Sequence, residues 1–478
     1  MVFSSNIFLF VFLPIFLAVY FLLPFRAKSA WILTGSYAFY GWWRFDFLAL
    51  LFAVTLASYL VALGMVRAPE FRRRAWLSAG IVGNLAVLAY FKYANFGVSS
   101  FNTLVSSLGL QPFAWAPVLL PIGLSFFIFH AISYLVDVYR GGAAPTRNFI
   151  DFAAFIALFP HLIAGPVLKY NLLAEQFRSR VHSFALFGQG SHRFMIGFAK
   201  KVLIADTIAP LVGQAFDLPN PSMADAWLGT VAYTLQLYFD FSGYSDMAIG
   251  LALMLGFRFP ENFDHPYISR SITEFWRRWH MSLSSWLREY LYISLGGNRR
   301  GRARTYVNLW LTMVLGGLWH GANWTFVLWG AWHGSLLAFE RWHGEAGKNA
   351  SARTSKPPVL AMLGTLLLVM LGWVLFRAES VGSAWTVYRG LFGFNGLALS
   401  DDLAWQVRGS QVAVMLLALA FVFVSPSWSR WSEALNIKKA GMRFALRSAV
   451  AFVVLPLFAL SVLKLNAQSY TPFLYFQF

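Results

Sequence analysis

The chain has no cysteine. That excludes disulfides, thiolate metal sites and a cysteine acyl-enzyme, and it fits exposure to an oxidising compartment. Charge is scarce as well: 12% of the 478 residues are charged and 58% are hydrophobic. So few charges cannot solvate a soluble domain, and the composition is that of a polytopic helical membrane protein. The apolar runs are continuous rather than short and alternating, which excludes a transmembrane barrel. Acids are the rarer sign, 20 Asp+Glu against 38 Lys+Arg, giving a net charge of +18. The positive-inside rule accounts for that excess. Nucleic-acid binding would need a soluble basic domain, and no stretch is long enough to form one. No His-x-x-x-His pair occurs, and His320 and His333 are too far apart to share a helical turn, so no metal site is expected. No basic residue precedes Arg26, so the start lacks the positive region of a signal peptide.

What is present is organised around Val314-Leu315-Gly316-Gly317-Leu318-Trp319-His320-Gly321-Ala322-Asn323-Trp324. A histidine and an asparagine sit between apolar runs over 306–319 and 324–340. The first run gives only about 21 Å of helix, short of a hydrocarbon core about 30 Å thick. The bend at 320–323 therefore falls within the membrane's depth, where irregular backbone survives only against protein or a wet cavity. Glycines here remove side chains where a backbone or substrate comes close. An ionisable residue so placed is a functional candidate by default.

The rest of the chain alternates apolar spans with basic loops. Residues 7–23 read as a retained helix, with Arg26 and Lys28 on its cytoplasmic flank and the N-terminus outside. Two helices follow over 30–66 around a tight turn at 42–46, then a basic inside loop over 67–74, a helix over 76–92 and a polar outer loop over 94–115. The inward run 116–138 carries His130, which either bonds a neighbouring helix or lines a cavity. Two prolines and a glycine read as a broken or re-entrant segment ending at Pro166, with His161 at the interface in preference to a functional place. Residues 170–200 read as surface-lying basic helices. A long apolar stretch over 226–256 is interrupted by Asp240-Phe241-Ser242-Gly243-Tyr244-Ser245-Asp246. Either the helix breaks at Gly243 or its polar face lines a water-filled path; a structural polar network and a substrate-facing role both fit. In 271–290, Phe275, Trp279, Trp286 and Tyr290 recur at helical spacing with Arg277, Arg278 and Arg288 between them. That pattern predicts an amphipathic helix at the inner interface, and its guanidiniums suit phosphates. After an inside loop over 341–356, spans at 359–376, 411–425 and 444–463 leave the C-terminus outside. The whole reads as a single all-α polytopic membrane domain of roughly eleven to thirteen transmembrane or re-entrant helices plus cytoplasmic interfacial helices. Its parts are N-terminal helices over 1–140, a core over 150–345 and C-terminal helices over 357–478.

The motifs together resemble the membrane-bound O-acyltransferase superfamily. They are the opening Met1-Val2-Phe3-Ser4-Ser5-Asn6, the Trp42-Trp43-Arg44 turn, Phe159-Pro160-His161-Leu162-Ile163-Ala164-Gly165-Pro166, the Asp240–246 motif, Glu274-Phe275-Trp276-Arg277-Arg278-Trp279-His280, Gly317-Leu318-Trp319-His320-Gly321 and the ending over 472–478. The two ends point to the branch that acetylates the exopolysaccharide alginate. Relatives acting on cellulose, peptidoglycan or teichoic acid share much of the pattern.

The resemblance implies helices around a central cavity in the bacterial inner membrane, with both termini periplasmic. It also implies acetyl-coenzyme A as cytoplasmic donor, no bound cofactor, periplasmic acetyltransferase partners, His320 as the catalytic histidine and His280 as the second motif residue. His320, neutral near pH 7, is expected to take a proton from an acceptor hydroxyl, an effect of roughly 10²–10⁴-fold. His280 or Asn323 would orient the donor or stabilise the oxyanion. Arg277, Arg278 and Arg288 would hold coenzyme A phosphates, with Asp240, Tyr244, Asp246 and Trp319 facing substrate. The rival is a transporter or flippase in which Asp240, Asp246, His320 and Asn323 line a path for ions or a lipid-linked sugar. The paired broken helices common in transport folds are not seen.

Overall fold

A computed structural model describes residues 1–344, 359–434, 440–467 and 473–474. Most of the inside loop over 341–356 and of the closing motif over 472–478 lies outside the described residues, as do the side chains of the basic run 438–447. The described residues are helical, with no strand among them. This is the polytopic all-helical membrane fold that the composition implies. By length and apolarity, Asp46–Arg67, Glu70–Ser107 and Val359–Arg377 suffice to cross a membrane, and four shorter apolar helices accompany them. The chain divides into two compact units, Met1–Ser191 with Ala248–Pro260, and His192–Met247 with Glu261–Phe478.

In the first unit, a π turn Phe8–Phe12 leads into Leu13–Leu22. Phe8, Phe12, Phe16 and Tyr20 recur every fourth residue, so their rings stack in one file, with centroids 5.6, 5.6 and 6.2 Å apart. The tight turn between Phe25–Gly41 and Asp46–Arg67 is present. Arg44 closes it with two bonds to Asp46, at 2.9 and 2.6 Å, and Trp42 and Phe45 are exposed, as suits interfacial anchors.

Two expectations fail in this unit. The outer loop over 94–115 begins as helix Ala94–Ser107. Its polar residues are absorbed locally: Thr103 donates to the Ser99 carbonyl, and the Asn102 amide pairs with the backbone of Phe113. His161 is not interfacial but fully buried. It bonds the Phe155 carbonyl at 2.8 Å and stacks against His130 with centroids 4.3 Å apart. His130 Nε2 accepts the Leu168 amide at 3.3 Å, so the ring bonds neighbouring backbone, while its buried Nδ1 has no hydrogen-bond partner among the described residues.

In the second unit, Arg302–His320 and Trp324–Trp342 form a tight antiparallel hairpin, flanked by Val359–Arg377. The close approach has a local cause. A Cβ on Gly317 would strike the Phe326 carbonyl oxygen, and one on Gly330 would strike that of Met313. Glycine at both faces lets the two backbones touch. The helix before the bend has 19 residues, about 28 Å at 1.5 Å per residue, longer than the apolar run alone indicates.

Candidate active site

His320 is the last residue of its helix and is 5% exposed. Aromatic rings wall it in: Trp319 at 5.0 Å, Phe376 at 5.2 Å and Trp329 at 5.3 Å between centroids. Trp319, expected to face substrate, is buried against both motif histidines, with its ring 6.3 Å from that of His280. Asn323 caps the following helix. Its side chain accepts from Thr325 N at 3.1 Å and donates to the Glu379 carbonyl at 2.8 Å. The shown role of Asn323 is thus to end the bend and tie it to the chain beyond Arg377.

His280 is fully buried, and its ring centroid lies 6.4 Å from that of His320. It is not on an amphipathic helix. The stretch 272–292 consists of Ile272–Arg278, Met281–Trp286 and a π turn Leu287–Tyr292, and His280 stands between the first two with φ 44 and ψ 53. A side chain in this left-handed region costs about 1–2 kcal/mol, so the surroundings must impose it. Glu340 supplies part of that constraint. It accepts the amides of Ile272 and Thr273 at 2.5 and 2.8 Å, fixing the N-terminus of the first short helix. Beyond the break, Asn262 bonds His280 Nδ1 at 3.1 Å and both the amide and hydroxyl of Ser282, while its carbonyl accepts the Met281 amide.

The Asp240–246 motif meets this site through other residues than its carboxylates. Helix Met223–Met254 runs through Gly243 without a break. Gly243 serves a different purpose, since a Cβ there would strike the Gly197 carbonyl. Asp240, 1% exposed, pairs with Lys201 at 2.8 Å and accepts the Leu474 amide at 2.9 Å. Asp246 pairs with Lys200 at 2.7 Å and Arg193 at 2.9 Å. Arg193 and Lys200 therefore turn inward rather than to a surface. Tyr244 stacks on Phe473 with centroids 4.5 Å apart. Phe241 reaches His280 directly, its ring edge-on at 4.6 Å, and Ser245 reaches it through Asn262, which it bonds at 3.0 Å.

The same unit holds a cavity of about 600 Å³ that neither histidine lines, within the range of small-molecule sites. Met281, adjacent to His280, lines it, as does Met313, two helical turns before His320. Arg277, Arg288, Arg299 and Arg341 also line it, and none of these four has a carboxylate partner among the described residues. Arg278 does not line it; it pairs with Glu274 at 2.9 Å. Four uncompensated guanidiniums on one cavity suit a polyanion. No group of three or more His, Asp or Glu suited to a metal occurs among the described residues.

The profile of the membrane-bound O-acyltransferase family matches residues 85–356. The chain is 52% identical to a protein named probable alginate O-acetylase from Azotobacter vinelandii and 53% identical to one of the same name from Pseudomonas putida, each match covering all of both chains. It is 37% identical to a peptidoglycan O-acetyltransferase from Helicobacter pylori, over 84% of this chain and 81% of that one. The chain belongs to the membrane-bound O-acyltransferase family.

As an O-acyltransferase, the protein brings together residues that its sequence does not connect. Asn262, Trp329, Phe376, Arg299 and Arg341 were not among the expected site residues. Arg299 and Arg341 carried the usable signal, basic charge flanking the motif segments. Asn262 carried none, being one amide in an irregular loop.

Proposed function

We propose that this acyltransferase takes acetyl from acetyl-coenzyme A at the cytoplasmic face and passes it toward the hydroxyls of alginate outside the inner membrane. Periplasmic acetyltransferase partners would complete the transfer, and both termini would be periplasmic. The observation that carries the chemistry is the pair of buried imidazoles, 6.4 Å apart, in the same unit as a cavity lined by four arginines that have no carboxylate partner among the described residues. The full-length likeness to proteins named alginate O-acetylase supports the polymer.

The reaction needs little else. A hydroxyl oxygen attacks the thioester carbonyl carbon, the carbon–sulfur bond breaks, and an imidazole carries the hydroxyl proton to the departing thiolate. Such general-base help is worth roughly 10²–10⁴-fold. The arginines would hold the donor's phosphates, and the lipid around the helices completes the environment. In a deletion strain complemented at matched membrane levels, His320→Ala and His280→Ala should each abolish polymer O-acetylation. Normal acetyl content in His320→Ala would sink the proposal.

A further inference from the structure

Asn262 is 1% exposed, and the chemistry of its neighbours settles which way its amide points. The Ser282 backbone N–H can only donate, so the Asn262 atom 3.3 Å from it is the oxygen. The Ser282 hydroxyl reaches the same atom at 2.8 Å. The other end of the amide then donates to Ser245 Oγ at 3.0 Å, a hydroxyl that accepts it. His280 Nδ1 lies 3.1 Å from that oxygen. An amide oxygen accepts and never donates, so Nδ1 must carry the hydrogen. A neutral imidazole has one N–H, and Nε2 is therefore bare. Nε2 is buried and has no hydrogen-bond partner among the described residues. A bare nitrogen cannot donate to an oxyanion; it can only receive.

We propose that Asn262, held by Ser245, is a positioning residue that locks His280 as its Nδ1–H tautomer and so makes His280 Nε2 a proton acceptor in acyl transfer. The role rests on the acyl-transfer reading above. It moves the oxyanion-stabilising task expected of His280 elsewhere and explains the forced backbone at His280. If the ring were merely a filler, neither the left-handed residue nor a buried amide with four partners would be needed. It also gives the Asp240–246 motif a tie to the chemistry through Ser245 rather than through either carboxylate. The groups facing His280 are Phe241 and Trp319, both uncharged, Asn262, and one titratable ring, His320.

Two measurements test this on the full-length protein in lipid. Nitrogen-15 NMR of histidine-labelled protein, with His280→Gln to assign the signal, should show His280 with a protonated Nδ1 and an unprotonated Nε2. A protonated Nε2 at neutral pH overturns the proposal. Asn262→Asp should retain transfer from acetyl-coenzyme A, because a carboxylate accepts the same hydrogen bond. It should also raise the acid limb of the kcat profile by about one pH unit, because the carboxylate favours the imidazolium. Asn262→Leu, which cannot accept, should lower kcat roughly tenfold or more at unchanged KM. An inactive Asn262→Asp, or an acid limb that stays in place, overturns the proposal. If wild-type protein transfers nothing from acetyl-coenzyme A while the NMR tautomer is as stated, the donor reading fails and the tautomer lock stands.

Discussion

Replacing Lys201 with methionine is the most informative perturbation away from the histidines. Lys201 Nζ lies 2.8 Å from Asp240 and 2.6 Å from Asp206, with side chains 3%, 1% and 11% exposed. At an effective dielectric near 20, each contact is worth about 6 kcal/mol of gross attraction. Desolvation of the three groups offsets most of it, so the cluster adds little net stability while intact. Removing the lysine alone leaves two buried carboxylates facing each other, and a loss of about 3–5 kcal/mol is expected. Asp240→Asn should cost less, about 1–3 kcal/mol, because Lys201 keeps Asp206 and the new amide oxygen still accepts the Leu474 amide. In the double variant the like charges no longer face each other. It should be more stable than Lys201→Met, with a coupling of about 2 kcal/mol. The assay is denaturation in detergent followed by tryptophan fluorescence, with acetyl transfer measured on the same samples. Additive losses would refute the network. So would an Asp240→Asn protein as stable as wild type that transfers no acetyl, which would return Asp240 to the substrate.

Three further outcomes follow from the same geometry. Gly330→Ala puts a methyl against the Met313 carbonyl oxygen and should cost at least about 1–3 kcal/mol, with loss of transfer as the hairpin parts; wild-type melting and transfer in this variant would contradict the packing. Asn323→Ala removes a cap worth about 0.5–2 kcal/mol, whereas Asn323→Asp should restore stability and activity; an inactive but fully stable Asn323→Asp would instead give the residue a substrate contact. Arg277→Ala with Arg288→Ala should raise the KM for acetyl-coenzyme A and weaken its salt dependence at near-constant kcat, while Arg278→Ala, whose side chain pairs with Glu274, should leave KM near wild type. Equal effects of all three would contradict the cavity assignment.

Features with a local cause were legible. Scarce charge and long apolar runs dictate helices in lipid. The turn at 42–46 shows in its aromatic and charged residues, and the bend after His320 in its glycines, whereas the capping role of Asn323 does not show. Features set by distant partners were not. Phe275, Trp279, Trp286 and Tyr290 do have helical spacing, yet Asn262 and Glu340 hold the chain in two short helices and a left-handed residue. Periodicity reports which face a helix would bury, not whether a loop elsewhere will interrupt it. Asp240 and Asp246 read equally well as substrate ligands or as structural ions. The deciding partners, Arg193, Lys200 and Lys201, lie in a segment whose charge reads as cytoplasmic surface. The polar loop at 94–115 misled for the opposite reason, because serine, threonine and asparagine can return their hydrogen bonds to their own helix.

The rings around His320 bear on a competition that every transferase to a sugar hydroxyl must win. Water is also a hydroxyl, and it vastly outnumbers any polymer end. An activated acetyl group that met bulk solvent beside a basic imidazole would be hydrolysed, and each such event would waste a donor molecule. Trp319, Trp329 and Phe376 leave His320 a surface that water wets poorly and that offers it few places to hydrogen-bond. The selectivity of the protein for a scarce, bulky alcohol over an abundant small one would then reside less in recognising the sugar than in keeping the site dry until the sugar arrives.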